Sequence, residues 1–460
     1  MAQTFTKRTP MPVRSEELFE WHTRPEAFLR LKPFWEHVRL LEFEGIRDGQ
    51  KAVLEVKAPF KRRWVAMHEG YIDGLQFRDR QVSGPFKRWE HTHRCEPDGD
   101  RSVMLDDITY EMPLGPLGLI ADRVFGRDKI EQMFAHRHAV LLHDLQDHLE
   151  AGAVGPTPRR MTVAITGASG LVGSRLKGLL GSGGHVARGV QRASQGIGFN
   201  ASAIAGADAV VHLAGEPIAQ RWSQEVKREI HRSRVEGTRR LCATLAALPA
   251  PPKVLISGSA VGIYGSRGQS VLTEDSPVGE QDAGFLAQVA RDWERATDEA
   301  YAAGIRLVHL RTSLVLSPEG GALKQMLPAF KAGAGGPIGG GKQWMPWIHI
   351  DDLCSLIYRA VWDDRLEGPL NAAAPEPVIN RVFVKTLGRV LKRPAAVPLP
   401  AFAVRKLFGQ MGEETLLASQ RVVPQKLIDD GFRYRYPKLE DALRSLMGRY
   451  RDPAAVPLTA

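Results

Sequence analysis

A glycine-spaced turn near residue 167 constrains the fold more than any other feature of the sequence. Residues 162–173 read Thr-Val-Ala-Ile-Thr-Gly-Ala-Ser-Gly-Leu-Val-Gly, and leucines at helical spacing follow. When a buried strand turns through glycines into a helix, backbone amides can approach a phosphate, and the helix N-terminus stabilises its charge. The pattern predicts a dinucleotide cradle formed by Gly167, Ser169, Gly170, Leu171, Val172 and Gly173.

Strand and helix patterns alternate after this turn. Strands are predicted at 162–166, 185–191, 209–213, 253–257 and 306–311, with long helices at 224–248 and 283–303. Such alternation is typical of a doubly wound parallel sheet, which binds ligands at the carboxyl ends of its strands. The sequence therefore predicts an α/β Rossmann domain.

The end of the second predicted strand bears on the choice of dinucleotide. Sites that prefer NAD usually place an acidic residue there, but residues 188–192 read Arg-Gly-Val-Gln-Arg. Arg192 can bind a 2′-phosphate through bidentate hydrogen bonds, the alternative being an ordinary surface residue. NADP(H) is therefore favoured over NAD(H). After the third strand, the small residues in Leu213-Ala214-Gly215 let the backbone pass close to the adenosine half.

The first 150 residues follow a different pattern. Several β-type segments, joined by turns that contain Asp-Gly pairs, precede one long amphipathic helix predicted at 127–150. Strands followed by a long helix suggest a sheet curled around that helix, with a cavity between them. Residues 151–160 are rich in Gly and Pro and are predicted to be a linker.

Three motifs in this region are Phe34-Trp35-Glu36, the run from Gly84 to His93, and the helical segment from Met133 to His138. With them the region resembles the START-like (SRPBCC, cyclase/dehydrase) ligand-binding superfamily, whose fold is an α+β helix-grip. The resemblance implies a pocket for a hydrophobic ligand. His91 and His93 share one strand face, but no histidine pair here has HExxH-like spacing, so solvated or structural histidines and no metal are expected.

Motifs in the rest of the chain include Thr166-Gly167-x-x-Gly170-x-x-Gly173, Leu213-Ala214-Gly215, Tyr264-Gly265 and His349-Ile350-Asp351-Asp352. With them the chain resembles the extended short-chain dehydrogenase/reductase superfamily. Within it, the resemblance is to atypical epimerase-family, nucleoside-diphosphate-sugar epimerase-like proteins, which end in a small domain of unknown function. The implied organisation is a ligand-binding domain at 1–150, an NADP-binding Rossmann domain at 161–374 and a small C-terminal substrate or cap region at 375–450.

In this superfamily a Ser or Thr polarises a carbonyl, and the Tyr of a Tyr-x-x-x-Lys motif transfers the proton. Ser259 matches the serine, unless it only satisfies backbone groups at the strand end. The Tyr and Lys positions are occupied by Phe285 and Val289, and residues 283–303 contain no lysine. Tyr264 is the candidate substitute donor, with a packed aromatic as the alternative. Candidate substrate contacts are Glu216 and Trp344. Trp344 lies within a glycine-rich stretch suited to a lid, the alternative being a long surface connection with core tryptophans.

Composition limits the function classes. The net charge of +10 is dispersed among acidic residues, which favours a solvated surface over nucleic-acid binding. No signal-peptide layout and no apolar run of about 18 residues is present, so a cytoplasmic protein without a membrane span is expected.

Three functions remain open. The chain could be an NADP(H)-dependent oxidoreductase or epimerase-like enzyme for a small carbonyl or sugar-nucleotide-like substrate. It could instead be a non-catalytic NADP(H)-binding regulator or scaffold. In the third hypothesis, its first domain binds an apolar substrate and delivers it to the reductase half.

Overall fold

The computed structural model describes residues 2–57, 61–113, 126–191, 198–279 and 283–451. By internal contacts the chain divides into two compact units. The first comprises Met1–Arg160, Gly178–His185 and Arg444–Ala460, and the second comprises Met161–Lys177 and Val186–Leu443. Among the described helices, none is long and apolar enough to cross a membrane.

The first unit contains an antiparallel sheet whose described strands lie in the order β1-β7-β6-β5-β4-β3-β2. They are β1 (Gln3–Met11), β2 (Val38–Phe43), β3 (Lys51–Lys57), β4 (Lys61–Ile72), β5 (Gln76–Ser83), β6 (Arg88–Asp98) and β7 (Arg101–Glu111). The described helices are α1 (Ser15–Thr23), α2 (Pro25–Leu31) and α3 (Arg127–Glu150). The long helix predicted at 127–150 is confirmed at both ends.

One face of this sheet forms the core of the unit. Along β6 the buried residues are alternate ones, including Trp89, His91, His93 and Cys95, as the two-residue period of a strand requires. Helix α3 packs on this face, because Phe134 belongs to the same apolar cluster as Trp89. Burying a side chain of that size contributes roughly 1.5–3 kcal/mol.

The second unit contains a larger set of elements. Its strands are β8 (Thr162–Thr166), β9 (Val186–Val190), β10 (Ala209–His212), β11 (Val254–Ala260), β12 (Val271–Leu272), β13 (Arg306–Thr312), β14 (Leu314–Leu316), β15 (Trp344–Met345), β16 (Trp347–His349), β17 (Gly368–Ala372), β18 (Val378–Ile379) and β19 (Arg421–Val422). The helices that follow β8 in the chain are α4 (Leu171–Ser182), α5 (Ala201–Ile204), α6 (Gln224–Ala246), α7 (Phe285–Arg295), α8 (Asp298–Ala302), α9 (Gly321–Lys331), α10 (Ile350–Trp362), α11 (Asn380–Leu391), α12 (Ala401–Thr415), α13 (Gln425–Asp429) and α14 (Leu439–Leu446).

Six of these strands form a parallel sheet in the order β17-β13-β11-β10-β8-β9, which confirms the predicted Rossmann-like fold. Its central strands β8 and β10 are buried, for example at Val163, Ile165 and Val211, as expected for a parallel sheet covered on both faces, whereas the edge strand β9 is largely exposed. The strand order reverses at β8, since β9 lies on one side of it and β10 on the other. The glycine loop therefore leaves the sheet at the topological switch point, where open α/β sheets bind ligands.

The predicted helix at 283–303 is wrong in one respect, because the structure divides it into α7 and α8. The break lies at Thr297, whose backbone N–H bonds to the carbonyl of Glu294, three residues back. The Thr297 hydroxyl donates to the same carbonyl and lies 2.8 Å from Nε2 of His309 on β13. A contact with a distant strand thus stabilises the tighter turn.

All three cysteines, Cys95, Cys242 and Cys354, are buried and none forms a disulfide bond. Cys95 lies in the first unit, and the other two lie in the second. Burial raises the pKa of the Cys95 thiol and raises the pKa of Cys242 to about 12. The thiols of Cys95 and Cys242 are therefore protonated at neutral pH.

Candidate functional site

The glycine loop after β8 accepts no larger residue at its key positions. Gly167 has a φ of 71°, and a Cβ there would lie 3.0 Å from the backbone nitrogen of Ala214. A Cβ at Gly173 would lie 2.3 Å from the carbonyl oxygen of Gly167, and one at Gly170 would lie 3.1 Å from the same oxygen. The glycines thus allow the loop to pack against the end of β10 and against the first turn of α4.

The crest of the loop, Ser169 and Gly170, is exposed to solvent. The Gly170 N–H donates to the Gly167 carbonyl at 2.9 Å, and α4 begins at the next residue. Ser169 and Gly170 are exposed, whereas Leu171 and Val172 are half-buried. Because first-turn N–H groups have no carbonyl partner within their own helix, this geometry suits an anion such as a pyrophosphate.

Buried polar side chains fix the loop against the neighbouring strand. Thr166 Oγ1 lies 2.6 Å from His212 Nδ1, and His212 Nε2 lies 3.0 Å from Thr238 Oγ1. The backbone N–H of Ala214 also donates to Thr166 Oγ1, at 3.3 Å. These three side chains are fully buried, so each needs the partner it has. The chain of contacts holds the ends of β8 and β10 and helix α6 in one arrangement.

The loop after β10 is supported by Arg234. Its Nη1 donates to the carbonyl oxygens of Glu216, at 2.9 Å, and Ile230, at 3.3 Å. Its guanidinium also lies 5.2 Å from the ring centroid of Trp293. Burial lowers the pKa of Arg234 to about 10, which leaves it charged at neutral pH. The Glu216 side chain is half-buried and accepts a hydrogen bond from Gln220 Nε2 at 3.2 Å.

Ser259 and Tyr264 belong to one buried network at the carboxyl ends of β11 and β13. Ser259 Oγ donates to Glu294 Oε1 at 2.7 Å, and Arg311 binds the same carboxylate through Nε and Nη2 at 2.9 and 3.0 Å. Arg311 Nη1 donates to the Tyr264 hydroxyl at 2.9 Å. That hydroxyl in turn donates to Asn371 Oδ1 at 2.8 Å. The Ser259 and Tyr264 protons therefore both have acceptors within the protein.

The electrostatics of this network keep the Glu294–Arg311 pair charged. Burial alone would raise the pKa of Glu294, but the hydrogen bonds and charge of Arg311 hold it below its usual value. The same pairing outweighs burial and raises the pKa of Arg311. Burial raises the pKa of Tyr264, so its phenol is neutral at physiological pH.

Sequence reasoning did not identify Glu294 and Arg311 as site residues. Arg311 lies near the end of β13 and Glu294 lies on α7, so the fold brings them together. The sequence signal that could have found them was Arg311 near the end of a predicted strand of a sheet covered on both faces, because an arginine buried in a core is almost always paired.

Apolar packing replaces the Tyr-x-x-x-Lys positions on α7. Phe285 contacts the Trp222 ring edge-on, with centroids 5.1 Å apart, and Val289 is buried. The N–H groups of Phe285 and Leu286 donate to the Glu414 carboxylate at 3.1 and 2.8 Å, which stabilises the positive end of the helix dipole. The start of α7 is thus held firmly, but it carries no group that transfers protons.

Two further predicted site residues have different outcomes. Trp344 is half-buried in β15, where its Nε1 donates to Gln269 Oε1 at 2.7 Å. The guanidinium of Arg421 lies 4.6 Å from the Trp344 ring centroid. Arg192 lies outside the described residues.

The first unit has its own cavity, of about 160 Å³. Most of its lining is apolar, including Leu31, Phe43, Leu54, Trp64, Phe77 and Met133. A single water needs roughly 10–15 Å³ by this measure, so the space admits a small organic molecule. Polar groups also line it, among them His22, Asp79, His91, His93 and Arg137.

Comparison with known proteins separates the chain into matched segments. The sequence profile of the NAD dependent epimerase/dehydratase family matches residues 163–371, and that of a domain of unknown function, DUF1731, matches residues 399–446. The epimerase family protein SDR39U1 homolog, chloroplastic, of Arabidopsis thaliana is 38% identical over 307 residues, which cover 63% of this chain and 87% of the relative.

Solved structures extend the similarity. A nucleoside-diphosphate sugar epimerase from Corynebacterium glutamicum is 32% identical, with a TM-score of 0.77, and the match covers 96% of this chain and 90% of that one. The human epimerase family protein SDR39U1, solved with NADPH, is 34% identical with a TM-score of 0.57, covering 63% of this chain and 99% of that one. The first of these similarities therefore includes the N-terminal unit.

Proposed function

Because this chain belongs to the NAD dependent epimerase/dehydratase family, we propose that its second unit binds NADP(H) and acts on a small carbonyl or sugar-nucleotide-like substrate. The glycine loop carries this proposal, since Gly167 and Gly173 let the chain turn tightly from β8 into α4 at the end of the sheet where such folds bind a pyrophosphate. Two observations support NADP(H) in particular. The human relative was solved with NADPH, and residues 186–191, which form and follow β9, contain no acid that would repel a 2′-phosphate.

If the chain is an enzyme, Ser259 polarises the substrate carbonyl and Tyr264 transfers the proton. Each hydroxyl must first release its acceptor in the protein, Glu294 for Ser259 and Asn371 for Tyr264. This requirement, together with the apolar side chains at Phe285 and Val289, favours a second candidate function. In that alternative the chain binds NADP(H) without turnover, as a regulator or scaffold.

Titration of the purified full chain with NADPH and NADH tests the proposal. We expect NADPH to bind about tenfold more tightly or better, a difference of at least roughly 1.4 kcal/mol. Oxidation of NADPH with any member of a carbonyl and sugar-nucleotide panel would support the enzyme. Tight binding without oxidation across the panel would support the regulator, and failure of both dinucleotides to bind would contradict the proposal.

Replacing Tyr264 with Phe separates its structural role from a catalytic one. The variant removes one of the two acceptors of Arg311 Nη1 and the Tyr264 donor to Asn371 Oδ1, and an unpaired buried group costs about 1–3 kcal/mol. We therefore expect lower stability in urea titrations but an NADPH affinity within about twofold of the parent, a difference of less than about 0.5 kcal/mol.

The matched control is Tyr301→Phe, because Tyr301 is 73% exposed. It should change neither stability nor binding. If a substrate is found and Tyr264→Phe turns it over at the parental rate, Tyr264 is not part of the mechanism. If Tyr264→Phe loses its affinity for NADPH, the placement of Tyr264 outside the dinucleotide cradle is wrong.

The proposal for the first unit is a START-like helix-grip domain that binds a hydrophobic ligand. The antiparallel sheet, the long helix α3 and the largely apolar cavity support it. Mass spectrometry of molecules released from the denatured full chain would identify an occupant of this cavity as well as any dinucleotide of the second unit.

A further inference from the structure

A row of buried acids and histidines crosses three neighbouring strands of the first unit. In the antiparallel register, Asp79 on β5 is opposite His91 on β6, and His93 on β6 is opposite Asp106 on β7. His91 and His93 are only 2% and 4% exposed, so of the two expected alternatives, solvated or structural histidines, the solvated one is wrong for this pair. Because residues two apart on a strand share a face, both rings lie on the cavity side of the sheet.

Three donor atoms in this row have the spacing of ligands to one ion. Asp79 Oδ2 lies 3.2 Å from His91 Nδ1 and 3.6 Å from His93 Nε2. One donor atom from each residue lies within 4.8 Å of the other two. Donors bound about 2.0–2.2 Å from a shared metal ion are themselves roughly 3–3.6 Å apart, so a small displacement of the rings suffices for coordination.

Asp106 lies on the opposite side of the two histidines, where it is hydrogen-bonded to His91 and close to His93 without a hydrogen bond. Its Oδ1 lies 2.9 Å from His91 Nε2 and 2.7 Å from His93 Nδ1. Its Oδ2 lies 2.7 Å from His138 Nε2, and His138 Nδ1 lies 2.7 Å from the Thr9 hydroxyl. A carboxylate on the far nitrogen of a ligating histidine fixes the ring orientation and makes the near nitrogen a better ligand.

Contact with the cavity distinguishes the candidate metal ligands from the residues that lie behind them. Asp79, His91 and His93 line the cavity, whereas Asp106 and His138 do not. The two carboxylates bring two negative charges into this interior and Arg137 brings one positive charge, so a divalent ion would compensate the carboxylates and leave a positive charge for an anionic ligand. Such compensation matters because an uncompensated buried charge is costly.

We propose that Asp79, His91 and His93 bind one first-row divalent transition-metal ion, such as Zn²⁺ or Fe²⁺, in the wall of this cavity. Two imidazoles and one carboxylate form a donor set that suits these ions and leaves coordination positions open to the cavity. Arg137 also lines the cavity, and its guanidinium lies 5.1 Å from the Phe134 ring centroid. The ligand class is therefore an apolar molecule with an anionic oxygen, which the ion and the guanidinium bind together.

Metal titration of the chelator-stripped full chain tests this site directly. Co²⁺ is the spectroscopic probe and Zn²⁺ the calorimetric probe. We expect one equivalent of each to bind, with Co²⁺ giving visible d–d absorption. Asp79→Asn and His93→Gln each remove a ligand and should weaken binding about a hundredfold or more, whereas Asp106→Asn should weaken it about 10–100-fold.

His231→Gln is the matched control, because His231 pairs with Asp292 at 3.0 Å in the second unit. It should bind metal like the parent. A measurement on the parent alone guards against variants that fail to fold, since specific binding raises the melting temperature as the Zn²⁺ concentration increases. Less than one equivalent bound by the parent, no such shift, or unchanged affinity in Asp79→Asn and His93→Gln would each overturn the proposal.

Discussion

Gly173→Ala is expected to weaken NADPH binding by roughly 100–1,000-fold. The new Cβ would lie 2.3 Å from the Gly167 carbonyl oxygen, a backbone atom that moves only if the whole loop moves. Displacement of the loop misaligns the amides that would contact the pyrophosphate. Two hydrogen bonds to a charged group are worth about 3–6 kcal/mol together, and a loss of only part of that energy gives the expected change. Fluorescence titration of the purified variant with NADPH measures it.

Gly237→Ala is the control for this prediction. A Cβ at Gly237, within α6, meets no atom within 4 Å, so this variant should keep its NADPH affinity and gain about 0.5–1 kcal/mol of stability. If Gly173→Ala unfolds the chain, Ser169→Asp tests NADPH binding at the same loop without changing the packing. Ser169 is exposed, and an added carboxylate at the crest should repel the phosphates. Parental affinity in both loop variants would contradict the cradle.

Arg311→Met is expected to destabilise the chain by about 3–5 kcal/mol, because it leaves the Glu294 carboxylate buried without its cation. The side chains of Arg311 and Glu294 are only 6% and 13% exposed, so water cannot replace the lost partner. Arg311→Met/Glu294→Leu removes both charges and should recover most of the loss. Urea unfolding of the parent, both single variants and the double variant completes the cycle.

A surface ion pair provides the comparison. Arg232 and Glu229, one turn apart on α6, have side chains 52% and 35% exposed. Arg232→Met should therefore cost less than about 1 kcal/mol. If Arg311→Met costs no more than Arg232→Met, the Glu294–Arg311 pair does not hold β13 and α7 together.

Local patterns predicted most of the secondary structure. Helix α3 and strand β8 begin and end at the expected residues, because a continuous apolar period and flanking turn residues specify each of them. The break between α7 and α8 could not be predicted in this way. It depends on contact between Thr297 and His309, and the strand that carries His309 finds its position only in the assembled sheet.

The candidate sites show the same division. The glycine loop is contiguous in sequence, so its residues were predictable, although Arg192 lies outside the described residues. Two other groups could not be predicted in this way. Packing brings Glu294 and Arg311 together, and strand register aligns the row from Asp79 to Asp106. A one-residue slip of β6 would turn His91 and His93 to the opposite face, and nothing in the spacing of the histidines alone specifies that register.

Because Cys95, Cys242 and Cys354 are buried, the rates at which their thiols react report how often the native chain opens around them. A thiol-specific alkylating reagent can modify each sulfur only while the surrounding core is transiently accessible to solvent. Peptide mapping after timed exposure would assign a protection factor to Cys95 in one unit and to Cys242 and Cys354 in the other. Equal factors would mean that the two units open in a single cooperative event, and unequal factors would rank their local stabilities without any substitution.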